Sequence, residues 1–440
     1  MNPEESVADF ISGSKSFCVV KAPPGSGKTE LLVNTIPLWT KNGKDVLVAA
    51  LTNEQVNDIC TRLATKNPDT EIVRFSSSSY EPEYEFPPNV LIIKNTKEIQ
   101  QTCKIVVATV AKLSLVGSFR RFEVLYIDEA WQVSFGDTLP ILRFANRLVM
   151  IGDPGQIEPV RSIDHTRWET SPYPPGYAAP TPYLLEEPLN HLTYKIELDT
   201  CQRLPHDSVK LVQYFYDFPF AAAAQPGERY LKSKSSEKED GLDRAFASLD
   251  KVSTTILSIA TDNNGIGIDL DIEIASLTAN VANRLVAQTQ SISTSSSETS
   301  LGRSLLPSDI GIVATHRNMN AAIRTLINPT YLQSGLKVDT PERWQGQQRA
   351  VMIAVHPLSG VIHPSSFDLD TGRLCVMASR HRSALLIISR DHVPTTLDHQ
   401  VPQATQSPGL PDQVGSGHAA HKLFWDFHVR NERVFYASLA

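Results

Sequence analysis

The sequence has little cysteine and no excess of positive charge. Its five cysteines are odd in number, scattered and mostly in or beside apolar runs. They therefore suggest neither a disulfide framework nor a C-x-x-C metal site, and they favour a reducing compartment such as the cytoplasm. Lys and Arg number 41 against 48 Asp and Glu, which gives a net charge of -7. Any binding of nucleic acid must therefore be local, because no chain-wide basic field exists to support it.

Long apolar runs are also missing. No run reaches the ~18 residues of a membrane-spanning helix, and the opening residues MNPEESVADF lack a basic-then-apolar leader. We therefore expect a protein that is neither secreted nor inserted in a membrane. The 440 residues, 41% of them apolar, allow two to three domains of roughly 150 residues each.

Short apolar runs alternate with helical patterns along most of the chain, which predicts an α/β fold with two tandem parallel sheets. A first series of predicted strands comprises Phe17–Val20, Val46–Leu51, Ile72–Phe75, Ile105–Thr109, Val124–Ile127 and Leu148–Ile151, and a second comprises Lys195–Leu198, Thr255–Ile259, Ile310–Ala314, Ala350–Val355 and Leu385–Ser389. The Pro/Tyr-rich stretch Thr170–Tyr183 is expected to connect the two domains. We place the domains at residues 1–185 and 186–393, followed by a tail of uncertain role at 394–440. The polar stretches Lys232–Gly241 and Gln290–Ser300 are expected to be solvated loops.

The stretch APPGSGKTE, Ala22–Glu30, lies between a predicted strand and a predicted helix. It follows the pattern G-x-x-x-x-G-K-[ST], with Ala22 in place of the first glycine. Such a turn points backbone N–H groups at an anion where the helix dipole favours negative charge. We therefore predict a phosphate-binding loop in which the terminal phosphates contact Lys28 and magnesium contacts Thr29, and its residues are Pro24, Gly25, Ser26, Gly27, Lys28, Thr29 and Glu30.

Two acids follow the buried run VLYI. Asp128 is predicted to hold Mg²⁺, and Glu129 to activate the water that attacks ATP. The next strand ends in GDPGQ, where Gln156 either senses the terminal phosphate or belongs to a plain turn.

Eight motifs give the chain a resemblance to a known family. In chain order they are APPGSGKT, LTNEQV, VVATV, YIDEA, GDPGQIEPV, CQRLP, VDTPERWQGQQ and LCVMASRHR. They resemble the motifs of superfamily 1 helicases, and most of all the branch containing the nonsense-mediated-decay and Dna2-type helicases. The resemblance implies two RecA-like P-loop domains with ATP at their interface, and a function as an ATP-dependent helicase or translocase on single-stranded nucleic acid.

The resemblance also implies roles for residues of the second domain. Arg203 and Arg380 match the family's two arginines that reach the γ-phosphate, and Gly346 and Gln348 lie in the motif near the nucleotide. The family usually has Glu at the position of Gln348, so coupling between the nucleotide and the strand is expected to be weaker. The leader Met1–Ser16 lacks the Gln that reads adenine in relatives, so base selectivity is also expected to be weak.

Positions that match strand-binding residues of the family carry small polar or basic side chains: Thr52, Asn53, Thr109, His316, Arg317 and Thr340. Thr residues at the ends of buried strands are also typical helix caps. Trp344 is either a stacking platform or a core residue.

Three functions remain open on sequence alone: a helicase or translocase, an ATPase that remodels protein–nucleic-acid complexes without unwinding, and an ATP-dependent clamp that does not hydrolyse. The choice between DNA and RNA is open as well. Space for accessory domains is small, so a protein partner is expected to supply accessory function.

Overall fold

The computed structural model describes residues 2–82, 84–159, 168, 171–233, 240–261, 267, 269–295, 298, 302–399 and 413–437. The chain divides into two compact units. The first comprises residues 1–154 and 158–199, and the second comprises residues 155–157 and 200–440.

The first unit is a parallel sheet with helices between its strands. Its strands are β1 (Phe17–Lys21), β2 (Val46–Ala50), β3 (Ile72–Phe75), β4 (Val90–Ile93), β5 (Ile105–Thr109), β6 (Phe122–Ile127), β7 (Ala145–Gly152) and β8 (Thr193–Glu197). Its helices are α1 (Pro3–Ser12), α2 (Lys28–Thr40), α3 (Asn53–Lys66), α4 (Val110–Ser114), α5 (Phe135–Leu142) and α6 (Thr181–Leu185). The strand order is β4-β3-β5-β2-β6-β7-β1-β8.

Both faces of this sheet are covered by apolar side chains. Along β2, Val46, Val48 and Ala50 belong to one core cluster, whereas Leu47 and Ala49 belong to another. A parallel sheet buried on both faces needs apolar residues at consecutive positions, which explains the continuous apolar runs of the sequence.

The second unit is built around another parallel sheet, of order β15-β14-β16-β17-β12-β18. Its strands are β9 (Thr200–Cys201), β10 (Ala221–Ala222), β11 (Tyr230–Ser233), β12 (Thr254–Ile259), β13 (Thr289–Ser293), β14 (Ile310–Val313), β15 (Lys337–Asp339), β16 (Arg349–Val355), β17 (His381–Arg390) and β18 (Val434–Ala437). Its helices are α7 (His206–Val212), α8 (Gly241–Leu249), α9 (Ile272–Gln288), α10 (Arg317–Leu326), α11 (Pro329–Gln333), α12 (Pro341–Trp344), α13 (Thr371–Ala378), α14 (Val393–His399) and α15 (Gln413–Arg430). The two parallel sheets confirm the predicted α/β fold with two tandem parallel sheets.

The stretch between the two predicted series of strands belongs to the first unit. Tyr183 is part of its core, and the backbone N–H of Phe135 donates to the carbonyl of Tyr177 at 2.7 Å. Strand β8, predicted to open the second series, pairs in parallel with β1. The prediction of an inter-domain connection at Thr170–Tyr183 is therefore wrong, and the division falls after Asp199 rather than after residue 185.

The C-terminal residues are also built into the fold. Strand β18 pairs in parallel with β12, and Phe424 and Trp425 of α15 belong to a core cluster of the second unit. The expectation of a separate tail from residue 394 is therefore wrong for 413–437, and residues 400–412 lie outside the described residues. The two predicted polar loops overlap the ends of β11 and β13, which pair antiparallel, and much of the rest of those loops lies outside the described residues.

No helix among the described residues has the length and apolar character needed to cross a membrane. All five cysteines are buried, and no disulfide bond joins them in the described part of the chain.

Candidate functional site

The predicted phosphate loop connects the C-terminal end of β1 to the first turn of α2. Gly25 and Gly27 have φ values of 68° and 86°, in the left-handed region that favours glycine. Gly27 is the N-cap of α2, and no side chain caps this end of the helix. The hydroxyl of Ser26 is buried and has no hydrogen-bond partner among the described residues. A helix N-terminus with uncapped N–H groups beside such a hydroxyl fits an oxyanion.

The remaining residues of the loop differ in exposure. Pro24 is buried, Lys28 and Thr29 are half-buried, and Glu30 is exposed. Glu30 forms an ion pair with Lys66 of α3, so its carboxylate is held on the surface of the helix. Lys28 and Thr29 therefore remain the loop's side chains for phosphate and metal.

The two predicted acids follow β6 directly and differ in their backbone. Asp128 continues the strand, since its N–H donates to the carbonyl of Ala49 at 2.9 Å. Glu129 has a φ of 50°, which costs a non-glycine residue about 1–2 kcal/mol. This turn brings the Glu129 carboxylate to 3.5 Å from the Nζ of Lys28, and both side chains are nearly buried. The structure thus joins the phosphate loop and the predicted catalytic acid.

Asp128 is a buried carboxylate whose surroundings favour a bound cation. Its pKa is raised to about 7, first by burial and next by the charge of Glu129, while Lys28 acts in the opposite direction. Its Oδ1 atom makes no hydrogen bond to any described residue. A buried carboxylate oxygen without a donor is unfavourable unless a cation binds it. Asp128 therefore fits the predicted metal ligand.

The turn after β7 carries Gln156, and its residues divide between the two units. Asp153 is buried in the first unit, whereas Gln156 belongs to the short segment 155–157 that packs with the second unit. A Cβ at Gly372 of α13 would lie 2.7 Å from the carbonyl oxygen of Gln156, so glycine permits this close approach. The prediction that assigned Gln156 to the first domain is therefore wrong about the unit to which it belongs.

Arg203 and Gln348 form a pair in the second unit. The Nε of Arg203 donates to Oε1 of Gln348 at 2.9 Å, and its Nη1 donates to the carbonyl of Ser379 at 3.2 Å. The amide oxygen of Gln348 thus accepts a hydrogen bond from Arg203. The carboxylate of a Glu at this position would accept the same hydrogen bond with the added attraction of opposite charges. Gly346 has a φ of 74° in the turn leading to Gln348.

Arg380 directly follows Ser379, so the two predicted arginines lie close together. Its side chain is only 1% exposed, and its Nε and Nη2 atoms have no hydrogen-bond partner in the described part of the chain. Arg380 is therefore not a surface residue. Guanidinium donors without partners fit a ligand that supplies oxygen acceptors.

A buried polar network holds the two arginine-bearing segments together. The hydroxyl of Ser208 in α7 lies 2.6 Å from Nε2 of His381 in β17 and 2.5 Å from the hydroxyl of Ser253, which donates to Asp207 at 2.6 Å. Burial lowers the pKa of His381 to about 3, so the imidazole is neutral at pH 7. The network links α7, which follows Arg203, to β17, which follows Arg380.

In the first unit, the predicted strand-binding residues serve as helix caps or as partners of other side chains. Thr52 caps α3 by accepting from the N–H of Gln55 at 3.3 Å, and Thr109 caps α4 by accepting from the N–H of Lys112 at 3.1 Å. Asn53 accepts from Arg74 at 2.7 Å. All three lie at the edge of the sheet that carries the phosphate loop, because β2, β5 and β1 run parallel and end there.

In the second unit, the structure gathers the predicted strand-binding residues around one open cavity of about 400 Å³, named here the Phe367 cavity. It is lined by Thr315, His316, Arg317, Thr340, Glu342, Arg343 and Phe367. His316, Arg317 and Thr340 were predicted from the sequence, whereas Phe367 was not. No apolar periodicity marks an isolated Phe in a loop, so no sequence signal pointed to it. Trp344 is fully buried and its Nε1 donates to the carbonyl of Ile312 at 2.9 Å, so it is a core residue.

The family comparison matches the part of the first unit that carries the phosphate loop and the paired acids. A family model described as an AAA domain matches residues 4–166. The chain is 25% identical over 175 residues to the Saccharomyces cerevisiae protein "DNA replication ATP-dependent helicase/nuclease DNA2", which is 38% of this chain and 11% of that protein. It is 26% identical over 156 residues to the Arabidopsis thaliana protein "DNA replication ATP-dependent helicase/nuclease JHS1", or 34% of this chain and 12% of that protein. The chain thus covers only a small part of the length of these relatives.

Among solved structures, the chain is similar to a helicase of PRRSV, with a TM-score of 0.43, 15% identity, and coverage of 88% of this chain and 54% of that one. It is also similar to Arterivirus nonstructural protein 10, a helicase solved with DNA, with a TM-score of 0.44, 16% identity, and coverage of 88% and 62%. The phosphate loop and the paired acids lie within the residues that the AAA family model matches, and the chain is similar to Dna2-type helicases over 34–38% of its length.

Proposed function

We propose that the chain hydrolyses ATP and couples the hydrolysis to movement along single-stranded DNA or RNA. The observation that carries this proposal is the ion pair of Lys28 and Glu129 across the phosphate loop, beside the buried Asp128. Phosphoryl transfer to water needs a cation on the terminal phosphates, a carboxylate for magnesium and a group that orients the water. Lys28, Asp128 and Glu129 have these chemical properties.

In this proposal, two side chains of the protein bind the magnesium ion. Mg²⁺ is usually bound by one or two protein oxygens together with the phosphates and water. Thr29 offers a hydroxyl and Asp128 an unbonded carboxylate oxygen, so these two residues would hold the ion. When bound, it neutralises charge on the phosphates. The described residues contain no group of three or more His, Cys, Asp or Glu that could form a separate metal site.

The ion pair of Lys28 and Glu129 suggests how the Glu129 carboxylate is kept from activating water before ATP binds. Without a phosphate, the ammonium of Lys28 neutralises the Glu129 carboxylate. A bound triphosphate competes for that ammonium, because the triphosphate carries more negative charge than one carboxylate. Glu129 is then released to accept a proton from water. Binding of ATP would therefore make the Glu129 carboxylate available as the general base.

The residues of the second unit complete the proposed reaction. Arg203 and Arg380 would supply cations to the transferred phosphoryl group, and Gln156 would sense the γ-phosphate. Gln348 would orient Arg203 through the 2.9 Å hydrogen bond between their side chains. These residues belong to the second unit and Lys28 to the first.

The nucleic-acid strand is proposed to contact the Phe367 cavity in the second unit and the ends of β2 and β5 in the first. His316, Arg317 and Thr340 would bind phosphates in the cavity, and Thr52, Asn53 and Thr109 would contribute at the strand ends. These local groups are compatible with the net charge of -7. We further propose a reducing intracellular location, which the five buried cysteines support.

Steady-state ATP turnover, titrated separately with single-stranded DNA and RNA, tests the proposal. We expect turnover to rise with at least one of them. Glu129→Gln should lower turnover roughly 10²–10⁴-fold, because it removes the proton acceptor, while binding of a non-hydrolysable ATP analogue stays close to wild type. Glu123→Gln, on the same strand β6 but paired with Lys44, is the matched control and should leave turnover unchanged.

The same measurements, together with an unwinding assay on a forked duplex, separate the alternative functions. Intact ATP binding without turnover would contradict the proposal and favour a clamp that does not hydrolyse. Strand-stimulated turnover without ATP-dependent opening of a forked duplex would favour a remodelling ATPase. The internal stretches Cys60–Lys104 and Phe218–Pro307 are short for an inserted accessory domain, which gives that second candidate its support.

A further inference from the structure

Phe367 stands out in the Phe367 cavity because it is an aromatic side chain left exposed. Its side chain is 42% exposed although it sits among polar and charged residues. One face of the ring is covered by Arg373, whose guanidinium carbon lies 4.0 Å from the ring centroid. The exposed part of the ring is therefore available to a ligand in the cavity.

The ring is held in place by its surroundings. Arg373 donates to Glu342 at 2.8 Å and pairs with Asp370 at 3.2 Å, so the guanidinium behind the ring is fixed. The loop that carries Phe367 is closed by Ser365, whose N–H and hydroxyl both donate to Asp368 at 2.9 Å and 2.7 Å. Such an aromatic platform loses little entropy when a ligand stacks on it.

The remaining groups of the cavity fit a nucleotide. The ring of His316 lies 5.6 Å from that of Phe367, tilted by 42°, and Arg317 and Arg343 add two exposed cations. The hydroxyl of Thr315 is buried and has no hydrogen-bond partner among the described residues. The volume of about 400 Å³ is that of a small-ligand site. An aromatic face, cations for phosphate and a free hydroxyl are the groups that bind one unpaired nucleotide.

We propose that Phe367 is a stacking platform for one base of a bound single strand, with Arg373 as the residue that positions its ring. This proposal rests on the proposed function and adds a subsite to it. Recognition by stacking is tolerant of sequence, because every base has a π face. The subsite would therefore bind the strand without preference for any one base.

Oligonucleotide binding with and without bases tests the proposal. The affinity of the full chain is measured by fluorescence anisotropy for a single-stranded deoxythymidine oligonucleotide and for an abasic backbone of the same length. Phe367→Ala is expected to weaken binding of the base-bearing strand roughly 5- to 100-fold and to leave binding of the abasic strand unchanged. Phe367→Tyr keeps the ring and should restore the wild-type affinity. Tyr214→Ala removes an aromatic residue of the second unit that is 41% exposed, and it should change neither affinity.

The outcomes separate this proposal from the proposed function. If the wild type binds neither strand, the proposed function is contradicted. If the wild type binds and Phe367→Ala binds equally well, or if Phe367→Ala loses both strands equally while its melting temperature is unchanged, the stacking proposal is overturned and the proposed function stands. A Phe367→Tyr variant that remains as weak as Phe367→Ala would also overturn it.

Discussion

Asp128 and Glu129 are neighbours in the sequence whose environments give them different roles. Glu129 is turned toward Lys28 by its left-handed backbone, whereas Asp128 stays in line with the strand and is buried without a donor to one of its oxygens. Strained backbone and an unsatisfied carboxylate both lower stability and persist where function requires them. The identity of these acids could be predicted from the motif, but the Lys28–Glu129 pair could not, because it depends on the φ of a single residue.

The buried charge of Asp128 predicts a gain in stability when it is removed. The pKa of Asp128 is about 7 in the folded protein against 3.8 for an unperturbed Asp, so between these values the folded state binds more protons. Stability due to this group therefore increases as the pH falls and is lowest above pH 7. Asp128→Asn should unfold with a free energy about 1–3 kcal/mol higher than wild type at pH 8 without nucleotide, and this difference should shrink toward pH 5.

The melting temperature at pH 8 and pH 5, followed by scanning fluorimetry, checks this prediction. Adding Mg²⁺ with a non-hydrolysable ATP analogue should raise the melting temperature of the wild type more than that of Asp128→Asn. Glu81→Gln, which removes an exposed partner of Lys94, is the control and should have little effect. An Asp128→Asn protein that melts below wild type at pH 8 would contradict the account of Asp128.

At the scale of elements, the regular alternation of strands and helices was predictable and the ends of the units were not. The predicted strands at Val46, Ile72, Ile105 and Ile310 lie within one residue of those observed. Strand β15 has only three residues and gives no periodic signal. Strand β8 was assigned to the wrong sheet, because pairing with β1 depends on residues far away in sequence. Strand β18 was likewise not predicted, because its pairing with β12 depends on residues far away in sequence.

Helix α15 and its neighbours bury histidines that make the second unit sensitive to acid. The rings of His356 and His421 lie 5.3 Å apart, beside Phe424 and Trp425. Burial lowers the pKa of His421 to about 3 and that of His428 to about 4, and it also lowers that of His356, which faces His421, His428 and His392. Arg433 further lowers the pKa of His428.

These shifts predict that the second unit loses stability as the pH falls below 6.5. Between the lowered values and 6.5 the unfolded chain binds more protons than the folded one, so the free energy of unfolding decreases as the pH falls. The decrease is at most about 1.4 kcal/mol per histidine and pH unit. His421→Leu should flatten the dependence of the urea midpoint on pH between 6.5 and 4.5, monitored by tryptophan fluorescence. His206→Leu, an exposed residue of α7, should not, and equal profiles for wild type and His421→Leu would contradict the prediction.

At the scale of the whole molecule, the proposed reaction is divided between two units. The phosphate loop and both acids belong to the first unit, whereas Gln156, Arg203, Gln348, Arg380 and the Phe367 cavity belong to the second. Motif order was sufficient to predict this division of chemistry for the arginines. It was not sufficient for Gln156, because packing against Gly372 decides the unit to which this residue belongs.

We propose that the guanidinium of Arg380 stabilises the phosphoryl group that is transferred from ATP bound at Lys28. The direct measurement is single-turnover ATP hydrolysis by Arg380→Lys in the presence of a stimulating single strand, with binding of a fluorescent ATP analogue and the circular dichroism spectrum measured alongside. Because an arginine that stabilises phosphoryl transfer contributes roughly 10³–10⁵-fold to the rate, we expect hydrolysis to fall by at least about 10³-fold while analogue binding stays within a few-fold of wild type. A folded Arg380→Lys protein that hydrolyses ATP at the wild-type rate would contradict the claim.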